Sequence, residues 1–125
     1  MIDGVKAFSG FSVKDLVATK QFYGDILGQD IKDGEMGLDL HVGAGNDVFI
    51  YQKDDHEPAS FTILNFPVDD IDMVVDELSA KGVVFEKYEG MTDDKGIARG
   101  KSVNRGPDIA WFKDPSGNTL SVLCN

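Results

Sequence analysis

Cysteine is almost missing from this chain: Cys124 is the single one in 125 residues. An internal disulfide is thereby excluded, and a lone penultimate thiol fits a reducing compartment, so a cytoplasmic setting is the expectation. No apolar run reaches the roughly 18–20 residues that a spanning helix needs, which argues against a membrane role. The start, Met1-Ile2-Asp3-Gly4, lacks a basic segment followed by an apolar stretch, so no signal peptide is expected. Positive charge is scarce as well. The net charge is −10, and repulsion from phosphates excludes a nucleic-acid partner. Phosphate-loop, dinucleotide, nucleophile-elbow and zinc Cys/His spacings are also missing.

What is present is a repeat. "FSVKDLVATKQFY" from Phe11 aligns with "FPVDDIDMVVDEL" from Phe66, pairing Phe11 with Phe66, Val13 with Val68, Asp15 with Asp70 and Leu16 with Ile71. Each copy runs into an amphipathic helix. Leu16, Phe22, Tyr23, Ile26 and Leu27 form the apolar stripe of the first; Ile71, Val74, Val75 and Leu78 form that of the second. Asp15 and Asp70 are N-caps by type, and Gly28 and Gly82 stand where left-handed C-terminal caps are expected.

Around the helices the pattern is β. Strands are expected at 5–13, 29–33, 37–42 and 47–53, with glycine-rich turns at "DGEMG" and "GAGN", and again at 61–68, 83–88, 108–113 and 119–123. In "WFKDPSGNTLSVL", Asp114-Pro115-Ser116-Gly117 supplies a tight turn. The strand after it places Thr119, Ser121 and Leu123 on one face and Leu120 and Val122 on the other. Each half is thus β-α-β-β-β, over about 4–55 and 60–124. The fold expected is α+β: one domain of two βαβββ modules pairing into an open, curved mixed sheet around a central cleft, helices outside. Residues 90–106 show no periodicity and read as a long loop, mobile or functional.

The repeat, "VKDLVATKQFYGDILG" after the first strand and "FKDPSGN" before the last, together resemble the vicinal oxygen chelate superfamily. That group holds glyoxalase I, extradiol dioxygenases, methylmalonyl-CoA epimerases, fosfomycin-modifying enzymes and bleomycin-binding proteins. The resemblance covers essentially the whole chain and implies the fold more than the chemistry. It also implies where metal ligands stand in metal-dependent members: at Phe8, near Ile50, at Ile63 and at Ser121. Phenylalanine and isoleucine cannot coordinate a cation, and a neutral serine hydroxyl is a poor sole ligand. No metal and no cofactor are therefore expected. The same residues either fill the core or line a dry pocket for an organic ligand.

Candidates for chemistry follow. In "GLDLHVG", Leu38, Leu40 and Val42 share one face, and Asp39 and His41 the other. A carboxylate beside an imidazole fixes its tautomer, so His41 is a candidate general base with Asp39 as its partner. Asn65 offers a polar handle on an apolar wall, and Trp111 and Tyr51 offer aromatic faces. His56, among turn formers, reads as solvated. Both arginines, Arg99 and Arg105, lie in 91–106, where four basic residues meet two acidic ones. They suit an anion clamp on a glycine-hinged lid, or pair with the protein's own acids.

Three functional readings stand. One is a metal-independent small-molecule-binding protein of the glyoxalase/bleomycin-resistance type, with its ligand in an apolar cleft. Another is a metal-free isomerase or lyase acting on a small anion with His41 as base, and the last a metal-dependent lyase or dioxygenase with non-standard ligands. A homodimer is expected under each, whether or not it also has a ligand-sensing or purely structural role.

Overall fold

The computed structural model describes every residue except 44 and 46. The chain divides into two compact units, Met1–Pro58 and Ala59–Asn125. Each carries one four-stranded mixed sheet, open rather than closed, so the class is α+β. No helix among the described residues is long and apolar enough to cross a membrane.

In the first unit β1 (Gly10–Val13), β2 (Asp30–Asp33), β3 (Leu38–His41) and β4 (Val48–Gln52) take the order β1-β4-β3-β2. The second unit repeats it with β5 (Thr62–Pro67), β6 (Ile97–Arg99), β7 (Asp108–Lys113) and β8 (Thr119–Cys124) in the order β5-β8-β7-β6. In each, the first strand pairs in parallel with the last strand of the unit, and the rest is antiparallel.

The expected caps are formed. Asp15 accepts from the Val17 and Ala18 N–H groups to start α1 (Leu16–Gln21), and Asp70 accepts from the Met73 N–H to start α2 (Ile71–Ala80). Gly28 and Gly82 leave both helical segments at φ +71° and +97°, a conformation that costs glycine little. After α1 the chain widens into a π-helical turn, Phe22–Ile26, with the Leu27 N–H donating to the Phe22 carbonyl. That wider turn lets the consecutive rings of Phe22 and Tyr23 both reach the core, edge to face at 5.5 Å. Leu38, Leu40, Val48 and Ile50 meet them from the sheet. The second core is built the same way, from Ile71, Val75 and Leu78 with Ala110, Phe112, Leu120 and Val122.

Three expectations are corrected. Strand β1 starts at Gly10 rather than at residue 5; the Ser9 carbonyl still accepts from Phe49 N–H, but β4 begins at Val48, so earlier residues have no strand to pair with. Residues 83–88 form no strand beyond a single bridge between Phe85 and Phe112, with the Glu86 N–H donating to the Trp111 carbonyl. The remaining edge of β7 is taken by β6, inside the stretch read as a loop, through Ile97↔Ala110, Ala98↔Ile109 and Arg99↔Asp108. Gly96 makes the junction possible: at φ +90° it passes so near Phe85 that an added Cβ would stand 2.9 Å from that side chain. The turn expected at residues 43–46 lies partly outside the described residues, whereas "DGEMG" is a tight hairpin closed by the Gly34 N–H on the Gly37 carbonyl, 2.8 Å.

Candidate functional site

In the first unit the strand pleat sends Asp39, His41, Phe49 and Tyr51 to the face opposite the core residues Leu38, Leu40, Val48 and Ile50. Three glycines shape this open face. Gly10 pairs with Phe49, and an added Cβ there would stand 3.1 Å from the Phe49 carbonyl oxygen and in ordinary contact with its ring at 3.9 Å. A Cβ on Gly37 would overlap the Ile50 carbonyl oxygen and press on the far edge of the same ring. At Gly34 a Cβ would lie 2.8 Å from the Asp39 carboxylate. Gly37 is thus the position where glycine is required for the backbone and the Phe49 ring to sit where they do. Phe49 and Tyr51 stack at 5.7 Å and 19°, forming an apolar ledge.

Over this floor lies a cavity of about 540 Å³ lined by Lys6, Phe8, Gly34, Glu35, Met36, Asp39, Asp47 and Phe49. Phe8 and Met36 are largely exposed around it, at 67% and 80%. Phe8, Asp39 and the hairpin tip therefore meet in one place, and Phe8 does not fill the core. Ile50 is corrected: it is fully buried on the core side, paired with Phe11 and Leu38, and Phe49 takes the open-face position beside it. His41 Nδ1 lies 3.0 Å from Asp47 Oδ1, so its carboxylate partner is Asp47 rather than Asp39. Both groups of that pair are about half exposed. His56 is also corrected. It is buried and bonded through Nδ1 to the Ser12 hydroxyl at 2.6 Å.

In the second unit the corresponding row is Asn65–Ser121–Trp111, aligned across β5, β8 and β7. Ser121 is fully buried, and its hydroxyl donates to Asn65 Oδ1 at 2.5 Å. Half-buried Trp111 meets Tyr88 edge to face at 6.0 Å. Ile63 is the extra residue where the β5–β8 register shifts between Thr62 and Leu64, and it is half-buried. The turn beyond β7 is held by Asp114, whose Oδ1 accepts from the Ser116 and Asn118 N–H groups at 2.9 Å each, while Asn118 Nδ2 donates to its other oxygen.

Arg99 is not available to clamp an anion. Its guanidinium forks onto Asp72 of α2 at 2.7 and 2.9 Å, and its Nε donates to Asp93 at 2.9 Å. Lys95 bridges Asp72 and Asp76 from the same side. Arg99 and then Lys95 hold the Asp72 carboxyl well below the usual carboxylate range, and Asp72 in turn raises the Arg99 guanidinium. Partial burial pushes Asp93 up, but the Ile97 N–H, Arg99 and the Lys95 N–H together leave it lowered. Residues 93–99 are thereby pinned to α2. Arg105, beyond the turn Lys101–Val103, is exposed, and its backbone N–H donates to the Gly100 carbonyl.

The residues standing where the resemblance implies metal ligands do not fit a metal. Phe8, Ile50 and Ile63 carry no donor atom, and the Ser121 hydroxyl is committed to Asn65. Among the described residues no group of three or more His, Cys, Asp or Glu side chains converges.

Sequence reasoning missed Lys6, Glu35, Met36, Asp47 and Phe49. The alternation of Val48-Phe49-Ile50-Tyr51 and the paired glycines of "DGEMG" are the signals that point to Phe49 and its setting.

Repeated helical caps, matching strand orders and an open face carrying the pocket define a two-module α+β protein of the glyoxalase type. The family model of the Glyoxalase/Bleomycin resistance protein/Dioxygenase superfamily matches residues 7–122, and the chain belongs to that superfamily. A superfamily member from Sphaerobacter thermophilus has a similar structure, with TM-score 0.70, 22% identity and full coverage of both chains. The antibiotic binding protein TnmS3 from Streptomyces sp. CB03234 matches with TM-score 0.62 and 23% identity over 97% of each chain. The fosfomycin resistance protein FosX from Listeria monocytogenes matches with TM-score 0.70 and 17% identity over 100% of this chain and 95% of its own. A comparison with curated proteins finds no match.

Proposed function

We propose that this protein is a metal-independent small-molecule-binding protein, with its organic ligand in the pocket on the open face of the first unit. The observation that carries this reading is Phe49, seated between Gly10 and Gly37, stacked on Tyr51, and floored into a cavity with Phe8 and Met36 at its rim. A half-buried ring with glycines beside it and a cavity above it suits a flat apolar ligand. The fold is shared with a protein described as antibiotic binding, and the vacated metal-ligand positions favour binding over metal-assisted chemistry. Asn65, Ser121 and Trp111 are assigned a lesser part, as the polar and aromatic surface of the second unit. The chain is proposed to act in the cytoplasm as a homodimer, supported by the lone Cys124 and by exposed Met1, Ile2 and Val5; light scattering at twice the chain mass tests the latter.

The reading is tested by calorimetry with 1-naphthol, a neutral flat probe, on protein whose metal content has been measured. Binding that weakens about tenfold in Phe49→Ala, with folding retained, is expected, since that ring supplies the ledge. Unchanged affinity in Phe49→Ala overturns the assignment of the pocket. A stoichiometric transition metal in untreated protein overturns metal independence.

One observation favours a second reading, a metal-free isomerase or lyase. His41 is oriented by Asp47, and Asp47 lines the pocket. Turnover lost in both His41→Ala and Asp47→Asn supports it, whereas turnover unaffected by His41→Ala ends it.

A further inference from the structure

We infer that the ligand of this pocket is zwitterionic: a flat apolar body carrying a cationic group toward Asp39 and Glu35 and an anionic group toward Lys6. This rests on the pocket reading above and adds the charge class of its occupant.

The argument starts from the charges the cavity holds. Lys6, Glu35, Asp39 and Asp47 line it together. Asp47 is committed to His41 at 3.0 Å. Among the described residues, Lys6, Glu35 and Asp39 form no ion pair with one another or with any other side chain, although opposite signs face the same space. Elsewhere in the chain several basic side chains are paired with carboxylates: Lys20 with Asp33, Lys95 with Asp72 and Asp76, and Arg99 with Asp72 and Asp93. Lys32, across from Asp39 in the β2–β3 register, forms no ion pair among the described residues. The members of the set around the cavity are carried by separate pieces of chain. Lys6 comes from the segment ahead of β1, Glu35 from the hairpin tip, and Asp39 from β3.

The Asp39 carboxylate lies beside Gly34, where an added Cβ would stand 2.8 Å from it, so the negative pole sits against the hairpin. A ligand lying on the Phe49–Tyr51 ledge excludes water from this floor, and charges losing water must be met by opposite charge or hydrogen bonds, or binding is penalised. A neutral apolar ligand leaves all three stranded. A plain cation leaves Lys6, and a plain anion leaves the carboxylates. Only a ligand with both charges answers every group, which is how complementary charge sets specificity.

The test uses four probes that share one flat ring and differ in charge: tryptophol, tryptamine, indole-3-propionate and tryptophan, measured by calorimetry on the full chain. Tryptophan is expected to bind about tenfold more tightly than tryptophol, with each single-charge probe weaker than tryptophan. Lys6→Met is expected to bring tryptophan down to the affinity of tryptamine. Asp39→Asn is expected to weaken tryptophan and tryptamine while leaving tryptophol unchanged. Circular dichroism checks that both variants keep the fold. Tryptophol matching tryptophan, a single-charge probe binding tightest, or an unchanged ranking in either variant overturns the inference while the pocket stands. Binding by none of the four to folded protein overturns the pocket reading, and the inference with it.

Discussion

Gly10–Phe49–Asp39 in the first unit and Asn65–Ser121–Trp111 in the second occupy the same row of the same strand order. Their contents are reversed. In the first, the outer strand carries no side chain beside the large ring, and a half-buried carboxylate stands on the ring's other side. In the second, the corresponding ring position holds a serine, buried and bonded to its asparagine neighbour, and the large ring has moved one strand over to Trp111. The charges differ in the same sense. The second unit spends Arg99 and Lys95 on Asp72, Asp76 and Asp93, while the first leaves Lys6, Glu35 and Asp39 unpaired around a cavity. One strand order thus carries a glycine-flanked ring in one copy and a buried, hydrogen-bonded serine in the other.

Three substitutions sharpen or break that contrast. The largest effect is expected from Gly37→Ala in the first unit. The new methyl group overlaps the Ile50 carbonyl oxygen and crowds the Phe49 ring, a backbone clash expected to cost about 2–3 kcal/mol, read as a fall in the denaturation midpoint. A midpoint matching wild type would mean that the glycine does not set the ledge.

Arg99→Met in the second unit should cost less, on the order of 1 kcal/mol, because the pairs it breaks are only partly shielded from water. It should also change the response to acid. Asp72 and Asp93 are held below their ordinary range in the folded chain. The stability they contribute is therefore present above the unfolded carboxylate pKa of about 4 and lost as pH falls below it. Wild type is expected to lose stability between about pH 4 and pH 2, and the variant to show a shallower loss. Parallel curves would mean that the network contributes nothing to folding.

The smallest effect belongs to Ser121→Ala. It removes one buried hydroxyl whose partner, Asn65, is exposed and can turn to water, so a loss of about 1 kcal/mol or less is expected in a denaturant titration. A loss above that of Arg99→Met would make the second unit's row, rather than its ion pairs, what holds it.

Much of this architecture was legible in the chain. Caps at Asp15 and Asp70, left-handed exits at Gly28 and Gly82, and the alternation around Ser121 are local properties, set by side-chain chemistry within a few residues. The fold class and family follow from their repetition. Strand β6 was not legible, because three residues in a polar stretch become a strand only by sharing β7's edge with Phe85 and Glu86. Arg99 looked like an anion clamp for the same reason. Its charge was visible, but the helix carrying Asp72 is 27 residues away in sequence.

The sequence by itself determined the two modules with their helices and turns, and the absence of a side-chain donor at Phe8 and Ile63, since these depend on residue type and short spacing. Only the tertiary structure decided that Ile50 faces the core and Phe49 the open side, that His41 turns to Asp47, and that Lys95 and Arg99 are spent on α2. Each of those outcomes depends on which distant strand or helix supplies the neighbour, and a side chain's charge or apolar surface acquires a role only once that neighbour is in place.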